Sequence, residues 1–283
     1  MNPVREIACP IITAAVRRLF IEANTELGPD VTISLARARA SETSVLGRYV
    51  LDRILENAEI AAQDRMPLCQ DTGLAIVFAE VGQDVHVTGG DFRDAVQEGV
   101  RQAYEEGFLR KSICDPFTRR NTGDNTPAII HTEIVPGRQI RVAVMPKGGG
   151  SENMSGVAML VPAAGWEGVK GYVIGRVAEA GPNPCPPTVI GVGIGGDIET
   201  AAILAKKALL RPLGEKNRRD PRLARLEEEL LAEINGLGIG PQGYGGKTTA
   251  LAVHAEMMPC HIASLPVAVN IQCHAVRHKE TLI

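Results

Sequence analysis

The six cysteines, at positions 9, 69, 114, 185, 260 and 273, are the residues best suited to do chemistry, and three of them share a setting. Cys69 lies in Pro67-Leu-Cys-Gln-Asp-Thr-Gly73, Cys185 in Asn183-Pro-Cys-Pro-Pro187 and Cys273 in Asn270-Ile-Gln-Cys-His274. Each marks a place where a helix or strand should break. A thiol inside a regular element is ordinarily a small buried hydrophobe, whereas one among prolines or glycines can aim its sulfur into a shared cavity, as iron–sulfur ligands do. Spacing leaves both uses open, because gaps of 116 positions (69 to 185) and 88 positions (185 to 273) match no compact ferredoxin or zinc pattern. A zinc site from Cys260-His261 and Cys273-His274 is a further arrangement, although no C-x-x-C supports it.

Two glycine-rich segments point towards nucleotides. Gly191-Val-Gly193-Ile-Gly-Gly196 matches G-x-G-x-x-G between a strand-like and a helix-like stretch, the context a dinucleotide site demands. The polar run Arg211–Asp220 that follows shows no second parallel strand, so close packing of a helix on a strand is the competing use. Gly245-Gly-Lys-Thr248 resembles the end of a phosphate loop, but Pro241 stands where the first glycine belongs and no apolar strand precedes it.

The elements that must position these residues belong to a globular chain of 283 residues, enough for one large or two small domains. Hydrophobic residues at 45% and charged residues at 22% exclude disorder, and no segment nears the roughly 18 apolar residues of a membrane span. A net charge of −3 lacks the basic excess of a nucleic-acid binder. The apolar run Ile7–Val16 is not an export signal, since Glu6 spoils the basic flank and Arg17-Arg18 replaces a small-residue cleavage site. The expectation is a cytoplasmic protein with reduced thiols. With 30 Gly, 18 Pro and only 4% aromatics, it should have many turns around an aliphatic core.

Periodicity predicts helices over 4–27 and 42–62, a strand at Leu74–Val81 and a capped helix at Asp91–Gly107. Ala128–Val135 and Gln139–Met145 read as a hairpin across Pro136-Gly137, and 154–161 and 166–180 as helical. A strand follows at Thr188–Val192, then a helix from about Asp197 to Leu210. Asp220-Pro221 opens a last helix whose stripe is Leu223, Leu226, Leu230, Ile234 and Leu237. The fold class is α/β, mixed α+β: a helical N-terminal part followed by a mixed αβ region.

Cys69-Gln-Asp-Thr-Gly73, Lys147-Gly-Gly-Gly-Ser-Glu-Asn153, Cys185-Pro-Pro187 and Gly240-Pro-Gln-Gly243 together resemble the iron–sulfur (class I) fumarate hydratase and L-tartrate dehydratase family. The likeness runs to the Arg277-His278 tail and makes residues 1–283 similar to the alpha subunit of the two-subunit form. It implies an αβ domain wrapped around a [4Fe–4S] cluster held by Cys69, Cys185 and Cys273, with Cys9, Cys114 and Cys260 as non-ligands. It also implies that Gln70, the Gly150 amide, Arg110 and His261 contact a dicarboxylate and that Asp71 is the acidic partner of the catalytic base. Without the resemblance, Arg110 reads as a solvated helix-end charge, His261 as a loop histidine and Asp71 as an Asx-turn or N-cap.

The implied chemistry is coherent. Moving water on or off a 2-hydroxy acid passes through a carbanion-like species, and an iron without a protein ligand can act as Lewis acid. The carboxylates need cations and oriented donors, and Gly148-Gly149-Gly150 offers amides with no side chain in the way. The Lys147–Asn153 loop resembles the fumarase branch of the family more than the tartrate branch, which implies fumarate hydration over L-tartrate dehydration. The family's catalytic Thr base and further Arg and Lys residues belong to the other domain, so a separate beta subunit is expected to complete the site, in an α₂β₂ assembly.

Overall fold

The structure is a computed structural model that describes residues 4–283. In chain order the first elements are β1 (Arg5–Ala8), α1 (Cys9–Thr25), α2 (Pro29–Ser41), α3 (Val45–Asp64), β2 (Leu74–Gly82) and β3 (Val85–Thr88). Next come α4 (Phe92–Glu106), β4 (Ile129–Val135), β5 (Ile140–Lys147), α5 (Gly149–Glu152), β6 (Gly156–Leu160) and α6 (Gly165–Ala180). The last are β7 (Thr188–Gly195), α7 (Ile198–Ala208), α8 (Pro221–Gly236), β8 (Ala250–Met258), β9 (Leu265–Gln272) and β10 (Lys279–Leu282). This is the expected mixed α+β chain with a helix-rich beginning. It divides into two compact units, one of described residues up to Leu27, Ala58–Gly149 and Arg277–Ile283, the other of Gly28–Asn57 and Gly150–Val276.

The first unit contains a sheet ordered β10-β5-β2-β4, with β4 parallel and β5 antiparallel to β2. The hairpin expected between 128–135 and 139–145 is therefore absent: both strands form, but β2 separates them. The reason is burial, because β2 (LAIVFAEVG) is buried along most of its length and needs partners on both edges, while β4 is largely exposed and suits an edge. The Pro136-Gly137 turn wraps the end of β2, with Gln83 N–H donating to the Val135 carbonyl at 2.7 Å and Asp84 N–H to that of Gly137 at 3.0 Å. Against the sheet, Ile12, Val16, Leu19 and Phe20 of α1 pack on Val96, Val100 and Tyr104 of α4 and on Val77, Val142 and Val144. Each such fully buried side chain stabilises the unit by about 1.5–3 kcal/mol. The helix expected over 4–27 forms only as Cys9–Thr25, because Arg5–Ala8 is the strand β1, paired with β3.

In the second unit the order is β6-β9-β7-β8, with β8 parallel and β9 antiparallel to β7. The strand period sorts its faces: Val267, Val269 and Ile271 meet α6 and α8, whereas Ala268 meets Ala201 and Ala205 of α7. The α8 stripe forms as predicted through Ile234, and the Asp220 carboxylate caps the helix by accepting from Arg222 N–H at 2.8 Å. Leu237 lies beyond the helix end and is 37% exposed. Residues 154–161, expected helical, instead contain β6, because pairing with β9 from Gly156–Val269 to Leu160–Leu265 overrides local propensity. The pattern-based reading had no counterpart for α2, β8 or β9.

Both nucleotide-like segments are occupied by the protein itself. The G-x-G-x-x-G unit does gain a parallel strand, β8, but only after two helices. A Cβ on Gly191 or Gly193 would stand 2.0 Å from the Ala205 or Ala201 carbonyl oxygen, so these glycines seat α7 on β7. Where a pyrophosphate would meet the helix N-terminus, the Asp197 carboxylate accepts from Thr200 N–H at 2.8 Å. In the Gly245–Thr248 segment, the backbone N–H groups of Lys247 and Thr248 donate to Glu42, at 2.8 and 3.3 Å.

Candidate active site

In the first unit the loop between α3 and β2 carries Cys69, Gln70 and Asp71. It is tied down from below. Leu68 N–H donates to the Asn24 carbonyl at 2.8 Å. Arg277, only 2% exposed, donates to the Asp71 carbonyl at 2.6 Å and to Asn24 Oδ1 at 3.1 Å. The half-buried Asp71 carboxylate takes one amide with each oxygen: Oδ1 accepts from Gly73 N–H at 3.0 Å, and Oδ2 from Gly149 N–H at 2.7 Å. The first bond is the Asx-turn foreseen from sequence; the second reaches the triple-glycine loop 78 positions away. Of that loop's three amides, Gly149's is thus already engaged. Asp71 N–H also donates to Cys69 Sγ at 3.4 Å, and the Cys69 thiol donates to Gln70 Oε1 at 3.3 Å.

Arg110 is held to the same loop by its backbone. Thr72 Oγ1 donates to the Arg110 carbonyl at 2.9 Å, and the Arg110 side chain is exposed. Tyr104 O–H donates to the carbonyls of Thr72 (2.8 Å) and Gly73 (3.0 Å), and Asn125 bridges the Gly73 carbonyl at 3.2 Å and the N–H of Ser112 at 2.6 Å. Burial pushes the Tyr104 hydroxyl well above its ordinary value, so it stays a donor. Cys69, exposed Gln70, Asp71 and Arg110 are therefore brought together within this unit.

In the second unit, antiparallel pairing of Val189 with Gln272 sets the start of β7 beside the end of β9. That register brings Cys185 near Cys273: His274 N–H donates to the Cys185 carbonyl at 3.3 Å. Exposed Gly150 has room for a Cβ 3.5 Å from the Asn183 carbonyl, which places it against the Cys185 loop. His261 is not brought to this end. It sits in the exposed turn that enters β9, whose eight residues, about 26 Å of strand, separate that turn from Cys273, and its Nδ1 accepts from Ala263 N–H at 3.1 Å. An apolar cleft of about 400 Å³ lined by Trp166, Leu226, Met257 and Ile262 adjoins it.

All six cysteines are free. Cys9 is buried at the start of α1 with its thiol 3.6 Å from the Asp91 carbonyl, and the Cys260 thiol donates to Ser264 at 3.1 Å. Among the described residues, no group of three His, Cys, Asp or Glu side chains is placed to hold a single metal ion. Taken one by one, Cys69 in the first unit and Cys185 and Cys273 in the second each have the irregular backbone and access that an iron-ligating thiol needs: Cys185 is exposed, Cys69 and Cys273 partly so.

Comparison with known proteins supplies the relationship. The family profile described as Fumarate hydratase (Fumerase) matches residues 13–281. The chain belongs to the class I fumarate hydratase/L-tartrate dehydratase family. A Methanocaldococcus jannaschii protein with the provisional name L(+)-tartrate dehydratase subunit alpha is 46% identical over 94% of this chain and 95% of its own length. The L(+)-tartrate dehydratase subunits alpha of Escherichia coli O157:H7 and K12 are 33% and 32% identical, each over 96% of this chain and 90% of theirs. Hydro-lyase chemistry is the family-level activity. These relatives favour the tartrate branch over the fumarate preference read from the Lys147–Asn153 loop. Among the described residues, no helix is long and apolar enough to cross a membrane.

The residues that sequence reasoning missed are supports. Asn24, Tyr104 and Asn125 carry no motif signal of their own, and full burial of Lys147 could not be foreseen beside three glycines. Arg277 was signalled only as part of the Arg277-His278 tail to which the family likeness runs.

Proposed function

We propose that the chain is the alpha subunit of an L(+)-tartrate dehydratase, which removes water from L-tartrate to give oxaloacetate. The observation that carries the reading is the Asp71 carboxylate, fixed by two backbone amides next to the Cys69 thiol on a loop that also holds Arg110. The tartrate assignment draws on the names of the relatives, three of which match over nearly their whole length. Cys69, Cys185 and Cys273 would hold a [4Fe–4S] cluster, which when bound supplies a Lewis-acidic iron for a departing hydroxyl.

The chain's own residues bind and orient. Arg110 presents an exposed guanidinium suited to bidentate capture of a carboxylate, and Gln70 and the Gly150 amide can donate to substrate oxygens. Asp71 holds a negative charge at a fixed point, where it orients and polarises the base that removes a carbon-bound proton. That base, and more cations for the second carboxylate, would come from a beta subunit, within an α₂β₂ assembly. His261 would serve a dicarboxylate only at a site other than that of its own unit's Cys273. Reduced thiols fit a cytoplasmic setting.

Fumarate hydration is the second reading, favoured by the description of the matching family profile. The two differ by one hydroxyl, and a site that hydrogen-bonds that group can reject the substrate lacking it by roughly 10⁴-fold or more. Anaerobic turnover by the alpha–beta complex decides between them. The expected kcat/KM for L-tartrate exceeds that for malate at least about tenfold; the reverse order would overturn the tartrate assignment. Iron analysis tests the ligand set: Ser at Cys69, Cys185 or Cys273 should abolish stable cluster assembly, whereas Ser at Cys9 or Cys114 should not.

A further inference from the structure

Gly240-Pro-Gln-Gly243 contains a single turn of 3-10 helix, Pro241–Gly243, built around one side chain. Gly240, at φ +69, has no space for a Cβ, which would stand 2.2 Å from the carbonyl carbon of Gly245. Gly243, at φ +79, lies against Pro182, where a Cβ would come within 2.3 Å of the ring. Between them Gln242 adopts φ +51, a left-handed backbone that disfavours any residue with a Cβ. Such strain persists where surrounding contacts over-determine it.

Those contacts form a closed ring. Gln242 donates twice to the Pro186 carbonyl, from its backbone N–H at 2.7 Å and from Nε2 at 2.8 Å. Its Nε2 also lies 3.1 Å from His274 Nδ1. His274 in turn donates to the Cys185 carbonyl through its backbone N–H at 3.3 Å; its Nδ1 lies 3.1 Å from the same oxygen and, according to tautomer, either accepts from Gln242 or donates to that carbonyl. Cys185 is itself left-handed, at φ +57, with its N–H donating to the Pro182 carbonyl at 3.0 Å. Each member of the ring other than Gln242 is, or is covalently next to, one of two cysteines: Pro186 follows Cys185, and His274 follows Cys273.

We propose that Gln242 is a positioning residue that locks the Cys185 and Cys273 loops into one block through Pro186 and His274, so that the two sulfurs keep one separation as iron is bound or lost. The proposal rests on the reading that these cysteines are cluster ligands. A merely structural turn would need only the backbone bond to Pro186; the side chain's two further contacts serve the cysteine pair. Outer contacts that orient ligands commonly change metal retention by about 10- to 100-fold.

The test uses the alpha–beta complex, reconstituted anaerobically. Gln242→Met keeps the length and removes the amide. It should lose iron to a ferrous chelator at least about tenfold faster than wild type and alter the EPR signal of the reduced cluster, with the apo-protein's thermal midpoint nearly unchanged. Iron loss within about twofold of wild type with an unchanged spectrum would overturn the proposal. If Gln242→Met does not fold, the pair His274→Asn and His274→Ala replaces it. Asn keeps a polar atom near the place of Nδ1 and should retain iron as wild type does, whereas Ala should lose it quickly; equal behaviour of the two would refute the lock. Wild type that takes up no iron would overturn the cluster reading and the lock together. Wild type whose iron is lost in Cys185→Ser but kept in Gln242→Met would overturn the lock alone.

Discussion

Two carboxylates in this chain are embedded in backbone amides beside glycines, and they differ in what is left over. Glu42, 3% exposed, accepts from four N–H groups, those of Thr43 (2.8 Å), Ser44 (3.0 Å), Lys247 (2.8 Å) and Thr248 (3.3 Å). Asp71, half-buried, accepts from two, Gly73 and Gly149, and keeps lone pairs to spare beside Cys69. A carboxylate can take about four hydrogen bonds. Glu42 is therefore saturated and can only hold structure, while Asp71 is anchored with capacity in reserve, the condition a working group needs.

The largest expected effect is at Asp71. Asp71→Asn preserves shape and at least one amide contact but removes the charge, so kcat of the alpha–beta complex should fall roughly 10³-fold while the unfolding free energy changes by at most about 1 kcal/mol. Steady-state kinetics beside urea denaturation of the same preparation measures both. A variant that lost stability and kept turnover would make Asp71 another Glu42.

Glu42→Gln should do the opposite. Replacing an oxygen by an NH₂ turns two of the four amides towards a donor, and leaving them unmet should cost about 2–3 kcal/mol of stability with kcat unchanged at a temperature where the variant is folded. Gly246→Ala should act in the same direction, because its Cβ would lie 2.7 Å from Glu42 Oε2 at a φ of +139. Loss of turnover beyond the unfolded fraction would break the distinction.

A smaller effect appears with pH. Burial raises the Glu42 carboxyl, but the amides of Ser44, Lys247, Thr43 and Thr248 outweigh it and hold the group below its ordinary 4.5. A depressed carboxyl stabilises the fold fully above its unfolded value and loses that contribution as pH falls through the folded value. Wild type should therefore lose stability on acidification below about pH 4.5 more steeply than Glu42→Gln; parallel slopes in denaturation from pH 7 to 3.5 would count against the saturated-carboxylate account. The smallest effect is expected of Gly149→Ala, whose Cβ would sit 3.8 Å from Asp71 Oδ2, an ordinary contact that should change kcat less than about tenfold. A larger loss would mean that the triple-glycine loop tolerates no side chain on the substrate side.

What the sequence determined by itself is local. Asp220-Pro221 and the stripe through Ile234 specify α8 because a cap and a 3.6-residue period act within a few turns. Cys69 and Cys185 declare themselves as unusual because the prolines and glycine near them forbid regular backbone, and the Asx-turn of Asp71 needs only Gly73. What tertiary structure alone decided is partnership over long separations. β4 and β5 read as a hairpin, yet β2 intervenes because its two buried edges outweigh a short turn. Asp71 finds Gly149, Glu42 finds Lys247 205 positions away, and Gln242 finds His274, none by any local signal. An amide or a carboxylate in a sequence states only that it can bond; which group it meets depends on the register in which strands pair and on the loops that pairing closes.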